Sequence, residues 1–225
     1  ADGTAYRSFL EADAGEKEIL YLSFSPGVAW SGQKYSVRFP LKADHISQGD
    51  AGLVDTYGLA PTLSFSWGAQ RLWSCMLGAC AEIRDYASLD DRDGSQYELS
   101  CKISRFSADY SRSFYGTVGA FHEKTSADIY ENTGFEAVVG GDTKLPLKTI
   151  GYVRAKYRMA DYAGQETLAP EKRRDAQLQF TVGLRRSLTK RCSADLSYQR
   201  TDNNSTFGLY EYLRNVVTLS MFWSF

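Results

Sequence analysis

Ala176-Gln177-Leu178-Gln179-Phe180-Thr181-Val182-Gly183-Leu184-Arg185 carries apolar side chains at even positions and polar ones or glycine at odd positions. This is a period of two, not 3.6, and it describes a strand with one apolar and one polar face. The same alternation recurs through the chain. Leu213, Val217, Leu219, Met221, Trp223 and Phe225 alternate with Arg214, Thr218, Ser220 and Ser224. Cys192, Ala194, Leu196 and Tyr198 alternate with Ser193, Asp195, Ser197 and Gln199. Tyr97, Leu99, Cys101 and Ile103 alternate with Gln96, Glu98, Ser100 and Lys102, and Tyr35, Val37, Phe39 and Leu41 with Ser36, Arg38 and Lys42.

Extending this reading over the chain gives strands near 4–11, 18–31, 33–45, 57–69, 71–86, 95–107, 110–123, 133–143, 148–162, 174–187, 190–201 and 210–225. Many are long enough to cross a bilayer at a tilt, whereas soluble sandwiches use strands of about 6 residues. The connections alternate in length. Short ones fall at 31–33, 69–70, 108–109, 145–147 and 187–189, and long polar ones at 49–56, 88–94, 124–132, 163–173 and 202–209. Short periplasmic turns and longer outside loops mark outer-membrane barrels. The expectation is an all-β fold: a closed, antiparallel transmembrane β-barrel of about twelve strands, one domain over residues 1–225, both termini periplasmic. The loops around Asp50, Asp91, Asp128, Glu171 and Asn204 then face outside, and Gly32, Asp109 and Pro146 the periplasm.

Composition agrees. The chain of 225 residues has 15 Tyr, 12 Phe and 4 Trp against 5 Pro and 3 Met, which favours strands over helices. A net charge of −1 gives no overall field for nucleic acid, and no nucleic-acid partner is expected. No run of about 18 apolar residues exists to make a membrane helix, which leaves a half-apolar barrel wall open. The opening Ala1-Asp2-Gly3 reads as a mature exported protein or as a fragment of a longer one. Parity sends Cys75, Cys101 and Cys192 outward and Cys80 inward, so Cys80 and Cys101 diverge and the thiols are expected to be unpaired.

The end of the chain, Leu219-Ser220-Met221-Phe222-Trp223-Ser224-Phe225, resembles the assembly signal of bacterial outer-membrane β-barrel proteins. That resemblance makes Leu219, Met221, Trp223 and Phe225 the handle for the barrel-assembly machinery, through strand addition. The stretch Tyr198-Gln199-Arg200-Thr201-Asp202-Asn203-Asn204, then Tyr212-Leu213-Arg214-Asn215-Val216-Val217, resembles the barrels of surface-lipoprotein assembly modifiers and related porins. It implies a bacterial outer-membrane location, with outer-membrane lipid and lipopolysaccharide around the wall. It also implies a role in export of lipoproteins or polysaccharide.

With apolar sets outward, the inward bases are Arg38, Lys42, Arg84, Lys102, Arg154, Lys156, Arg158, Arg185 and Arg214. The inward acids are Asp44, Glu82, Glu98, Glu136, Asp142 and Asp195. Arg154, Lys156 and Arg158 stand at period two on one strand. They form either a basic track for anionic solutes or sugars, or ion pairs with Glu136 and Asp142 that brace a packed interior. The function expected is therefore a channel or export pore for small solutes, polysaccharide or a surface protein. The alternative is a non-conducting barrel that docks a periplasmic or surface protein. His45-Ile46-Ser47 has the His-x-Ser spacing of outer-membrane phospholipases, but no third triad member is identifiable, and no enzyme activity is expected. No cofactor or metal is expected: His and Cys do not cluster, and Asp90, Asp91, Asp93 and Gly94 lack the closing Glu of a calcium loop.

Overall fold

A computed structural model describes residues 2–10, 17–48, 51–166, 171–189 and 191–223. In chain order the strands are β1 (Asp2–Leu10), β2 (Lys17–Ser25), β3 (Gly27–Ser31), β4 (Tyr35–Gln48), β5 (Ala51–Leu59), β6 (Thr62–Trp67) and β7 (Trp73–Tyr86). They continue as β8 (Gly94–Phe106), β9 (Arg112–Thr125), β10 (Asn132–Leu145), β11 (Thr149–Tyr162), β12 (Arg174–Ser187), β13 (Cys192–Ser205) and β14 (Tyr212–Trp223). β2 and β3 are one crossing interrupted by Pro26, and β5 and β6 one crossing interrupted at Ala60-Pro61. Both halves of each pair with β4. Proline lacks the ladder donor, so the strand breaks there. Its carbonyl still serves: Leu41 N donates to Pro26 O and Ala79 N to Pro61 O. The fourteen strands thus make twelve crossings in a single antiparallel sheet that follows chain order from β1 to β14. Among the described residues no ladder joins β14 back to β1.

The sheet is inside out relative to a soluble protein. Buried residues include Asp44, Glu82, Asn132, Asp175, Asp195 and Thr201, while Leu99, Phe114, Val118, Leu219 and Trp223 are more than half exposed. Among the described residues there is no second layer to cover the polar face. It is shielded by its own curvature, since polar side chains reach past one strand to the next, as Lys42 on β4 does to Glu82 on β7. A concave polar face and a convex apolar one are the two surfaces of an outer-membrane barrel. No helix among the described residues is long and apolar enough to cross a membrane.

The short connections at one end include 32–34, 68–72, 107–111 and 146–148, and β12 ends and β13 begins at this same end. Several need left-handed residues, among them Gln70, Arg71, Tyr110, Leu147 and Lys148. In 107–111, Asp109 accepts from the hydroxyls of Ser107 (2.6 Å) and Ser111 (2.8 Å) and from the Ser111 amide (3.1 Å). These donors hold its carboxyl below the usual carboxylate range. All four tryptophans, Trp30, Trp67, Trp73 and Trp223, lie at this same end, and Trp67 stacks on Trp73 with centroids 6.1 Å apart. They mark one membrane interface. Tyr86 and Tyr162 share the parity of the buried polar face and do not join such a belt.

One expectation changes, and one holds with an addition. The loop read at 49–56 is mostly strand: β5 begins at Ala51 and pairs with β4 through a register shift at Ile46/Ser47. Polar residues such as Asp55 mimic a loop in the sequence, but they sit where the strand has left the bilayer. Gly49 and Asp50 themselves lie outside the described residues. The four cysteines are free. Yet Cys75 and Cys101 share the outward face of β7 and β8, with Sγ atoms 3.8 Å apart, a neighbourhood that parity alone does not reveal.

Candidate functional site: the polar lumen

Two regions of the concave face gather the charges. The first runs across β4, β7, β9 and β10. Lys42 Nζ lies 3.1 Å from Asp44 and 2.9 Å from Glu82. Arg84 holds Glu82 at 2.6 Å and Glu123 at 2.9 Å, and Asn132 donates to Glu123 at 3.0 Å. Glu82 is only 5 % exposed. The chain of contacts is continuous because Gly58 stands between Lys42 and Glu82 in register. A Cβ there would fall 2.8 Å from Glu82 Cβ. Two cations are shared among three carboxylates, each of which lies against one of them, so the group is an ion-paired brace.

The second region is a bay of 510 Å³ on β8 to β13, lined by Lys102, Tyr115, Asp142, Tyr152, Arg154, Gln179, Thr181, Arg185 and Gln199. Tyr115 lies opposite Gly140 and extends across it, where a Cβ would come within 2.6 Å of the phenol oxygen. It thereby accepts from Arg154 Nε at 3.0 Å, one strand further on. Lys102 Nζ sits 4.2 Å over the same ring. Tyr152 extends across Gly183 in the same way and donates to Asp195 at 2.8 Å, which also takes Arg185 at 2.9 Å. Asp142 accepts from the Ser113 hydroxyl. No carboxylate among the described residues lies within ion-pair distance of Lys102 or Arg154.

The run Arg154, Lys156 and Arg158 is therefore not one track with one environment. Arg154 faces the bay. Lys156 is paired with Glu136 at 2.7 Å. Arg158 lies 4.1 Å over the Phe121 ring and lines a separate cavity of 360 Å³ with Tyr162, Arg173, Asp175, Asn203 and Tyr210. There Arg173 holds Asp175 at 2.5 Å and stacks on Tyr210 at 3.3 Å. The physical reason is register. Asp142 falls opposite Tyr152 and Ser113 rather than opposite a cation, so only Glu136 is within reach of the run.

Of the other expected lumen residues, Arg38 and Arg214 are exposed and Glu98 is half-buried. Leu219, Met221 and Trp223 stand on the outward face of β14, and Phe225 lies outside the described residues. Sequence reading misses Tyr115, Tyr152, Gln179, Thr181, Gln199, Glu123, Arg173 and Asp175. Parity places the strand residues among them inward, Glu123 and Asp175 near the strand ends, and Arg173 precedes its strand. His45 Nδ1 lies 2.7 Å from Asp55, and among the described residues no hydrogen bond joins His45 to the buried Ser47.

No family model matches the chain, and no curated protein sequence does. Among solved structures it is similar to the KdgM porin, with a TM-score of 0.50 at 11% identity, covering 100% of this chain and 99% of that one. The translocator domain of the autotransporter NalP from Neisseria meningitidis also aligns, over 97% of this chain and 85% of that one, at 12% identity and a TM-score of 0.36. The end-to-end alignment with the KdgM porin, with the inverted burial described above, gives this chain the fold of an outer-membrane β-barrel.

Proposed function

We propose that this chain is a channel of the bacterial outer membrane that passes small anionic solutes, sugars bearing acidic groups among them. The observation that carries the reading is the bay: Lys102 and Arg154 line it with no carboxylate of the described residues within ion-pair distance, beside the amides of Gln179 and Gln199. Cations in a concave, low-dielectric wall raise the local concentration of anions. Gln amides and the Thr181 hydroxyl exchange hydrogen bonds with hydroxyl-bearing solutes without fixing them. Arg158, with the Arg173 cluster, would form a second station along the path. Recording from planar bilayers under a salt gradient tests this. The wild type should prefer anions, and the double variant Lys102→Gln, Arg154→Gln should lose most of that preference. Equal selectivity in the two would sink the proposal.

The second reading, a non-conducting barrel that docks a protein partner, is favoured by the ion-paired brace on β4 to β10, which stiffens one wall without serving a solute. Absence of single-channel events from a correctly folded sample would select it over the first. Polysaccharide or lipoprotein export would need solute-independent opening wider than either cavity. Delivery to the membrane by the barrel-assembly machinery, through Leu219, Met221 and Trp223 on β14, belongs to both readings.

A further inference from the structure

The outward face carries a feature that the lumen does not explain. Between β9, β10 and β11 the wall is furrowed, over a volume of 820 Å³. Small residues cause it. Gly141 stands between Phe114 and Val153 in register, and Ala155 lies opposite Val139. Phe114 and Val139 project well clear of the sheet on either side, 65% and 61% exposed. The furrow runs along the strands, from mid-wall at Val139 and Ala155 to Arg112 at the end that carries the short turns.

Arg112 is exposed on this outward face, at the start of β9. No carboxylate among the described residues lies within ion-pair distance of its guanidinium. The nearby turn acid, Asp109, is engaged by Ser107 and Ser111. Two further outward cations stand at the same rim. Arg105 lies 5.1 Å over the ring of Trp73, and Arg186 is exposed on β12 beyond the other flank of the furrow. The outward acids Asp55, Asp85 and Asp161 belong to the opposite ends of their strands. Tryptophan sits at headgroup depth, so the Arg105–Trp73 contact places this row of cations among the headgroups.

We propose that the furrow is a binding site for one anionic glycerophospholipid of the periplasmic leaflet. Its phosphate would be held by Arg112 and one acyl chain laid between Phe114 and Val153. Within a bilayer an apolar furrow gains nothing from the hydrophobic effect, since bulk lipid tails are equally apolar. Selectivity must come from the headgroup end, where a guanidinium takes two phosphate oxygens at once in a charge-assisted contact. The furrow contributes by shape, because an acyl chain fills a groove that Leu or Phe at 141 or 155 would close. The site is independent of whether the lumen conducts, and needs only that the barrel spans the membrane in the stated orientation.

The test is native mass spectrometry of the detergent-purified full chain titrated with phosphatidylglycerol, phosphatidylcholine or lipopolysaccharide. The wild type should hold one phosphatidylglycerol in preference to phosphatidylcholine. Arg112→Gln should weaken that binding roughly tenfold, the worth of one charge-assisted contact. Ala155→Leu should weaken it comparably by filling the groove. Both variants should keep heat-resistant migration on gels and wild-type conductance, because both residues face lipid. Unchanged phosphatidylglycerol binding in both folded variants overturns the proposal. So does equal retention of phosphatidylcholine, or preference for lipopolysaccharide, which would put this rim in the outer leaflet. A dimer that Ala155→Leu dissolves would make a second copy the occupant and overturn it as well.

Discussion

The brace around Glu82 and the bay around Arg154 are built from the same residue types on the same concave surface, and they use them oppositely. In the brace each carboxylate lies against a cation, Glu82 between Lys42 and Arg84, Glu123 between Arg84 and the amide of Asn132. In the bay the cations outnumber the acids within reach, and Tyr115 takes the place of a carboxylate as the support of Lys102 and Arg154, while Tyr152 donates to Asp195, the partner of Arg185. A charge that is matched locally stiffens the wall. One that is left over acts on whatever enters the lumen. The contrast is set by register, not by composition, and several substitutions can break or sharpen it.

The largest effect should follow from Glu82→Gln. Glu82 is buried with two cations against it, and neutralising it removes the anion that Lys42 and Arg84 share. A loss of about 3 kcal/mol is expected, at the low end for breaking a buried pair because Lys42 and Arg84 retain Asp44 and Glu123. Urea unfolding in lipid vesicles measures it; a loss below about 1 kcal/mol would mean that the brace is no more than a wet wall. Next, Gly183→Ala puts a Cβ 2.8 Å from Cε1 of Tyr152 and should cost about 1–3 kcal/mol, with the Tyr152 ring displaced from Asp195. The companion change Tyr152→Ala should relieve most of the strain, and a double variant no more stable than Gly183→Ala would refute the ring-over-glycine account. Smaller again, Lys156→Gln should cost about 1 kcal/mol through Glu136 and leave selectivity nearly unchanged. A fall in anion preference as large as that from losing Lys102 and Arg154 would restore the three-cation run as a single track.

The smallest effect concerns the turn at Asp109. Its folded carboxyl titrates below its unfolded value of about 3.9, so its contribution is present at neutral pH and is lost as pH falls through the folded value. Asp109→Asn should melt slightly below the wild type at pH 7, and the two curves should converge as the pH is taken below about 4. A gap that persists in acid would assign the difference to shape, not charge.

Much of this was legible in the sequence. Period two defines the strands, and the run from Ala176 to Arg185 falls within β12 (Arg174–Ser187), which coincides with the strand read at 174–187. Which face is inward follows from the same alternation, because an apolar set cannot line water nor a charged one lipid. Strand ends were legible only where turn chemistry is strong; β5 starts earlier than read because polar residues beyond the bilayer resemble a loop. Partner choice inside the lumen was not legible. From the sequence, Glu136 and Asp142 are equivalent candidates for the cations of β11. Register places Asp142 opposite Ser113 and Tyr152, and Glu136 opposite Arg158, from where its side chain reaches diagonally to Lys156. The two tyrosines were passed over because their glycine partners lie about 25–30 residues away in sequence, and no local pattern joins them.

Those tyrosine and glycine pairs have a consequence for heredity. Tyr115 needs the gap at Gly140 to reach Arg154, and Tyr152 needs the gap at Gly183 to reach Asp195. Neither member of a pair can change alone without loss: a side chain at the glycine evicts the ring, and a small residue at the tyrosine leaves a bare backbone and its partner, Arg154 or Asp195, without that contact. In any lineage descended from this chain, 115 with 140 and 152 with 183 should therefore be inherited as two linked couples. Their joint replacement would mark the branch at which the bay changed its solute.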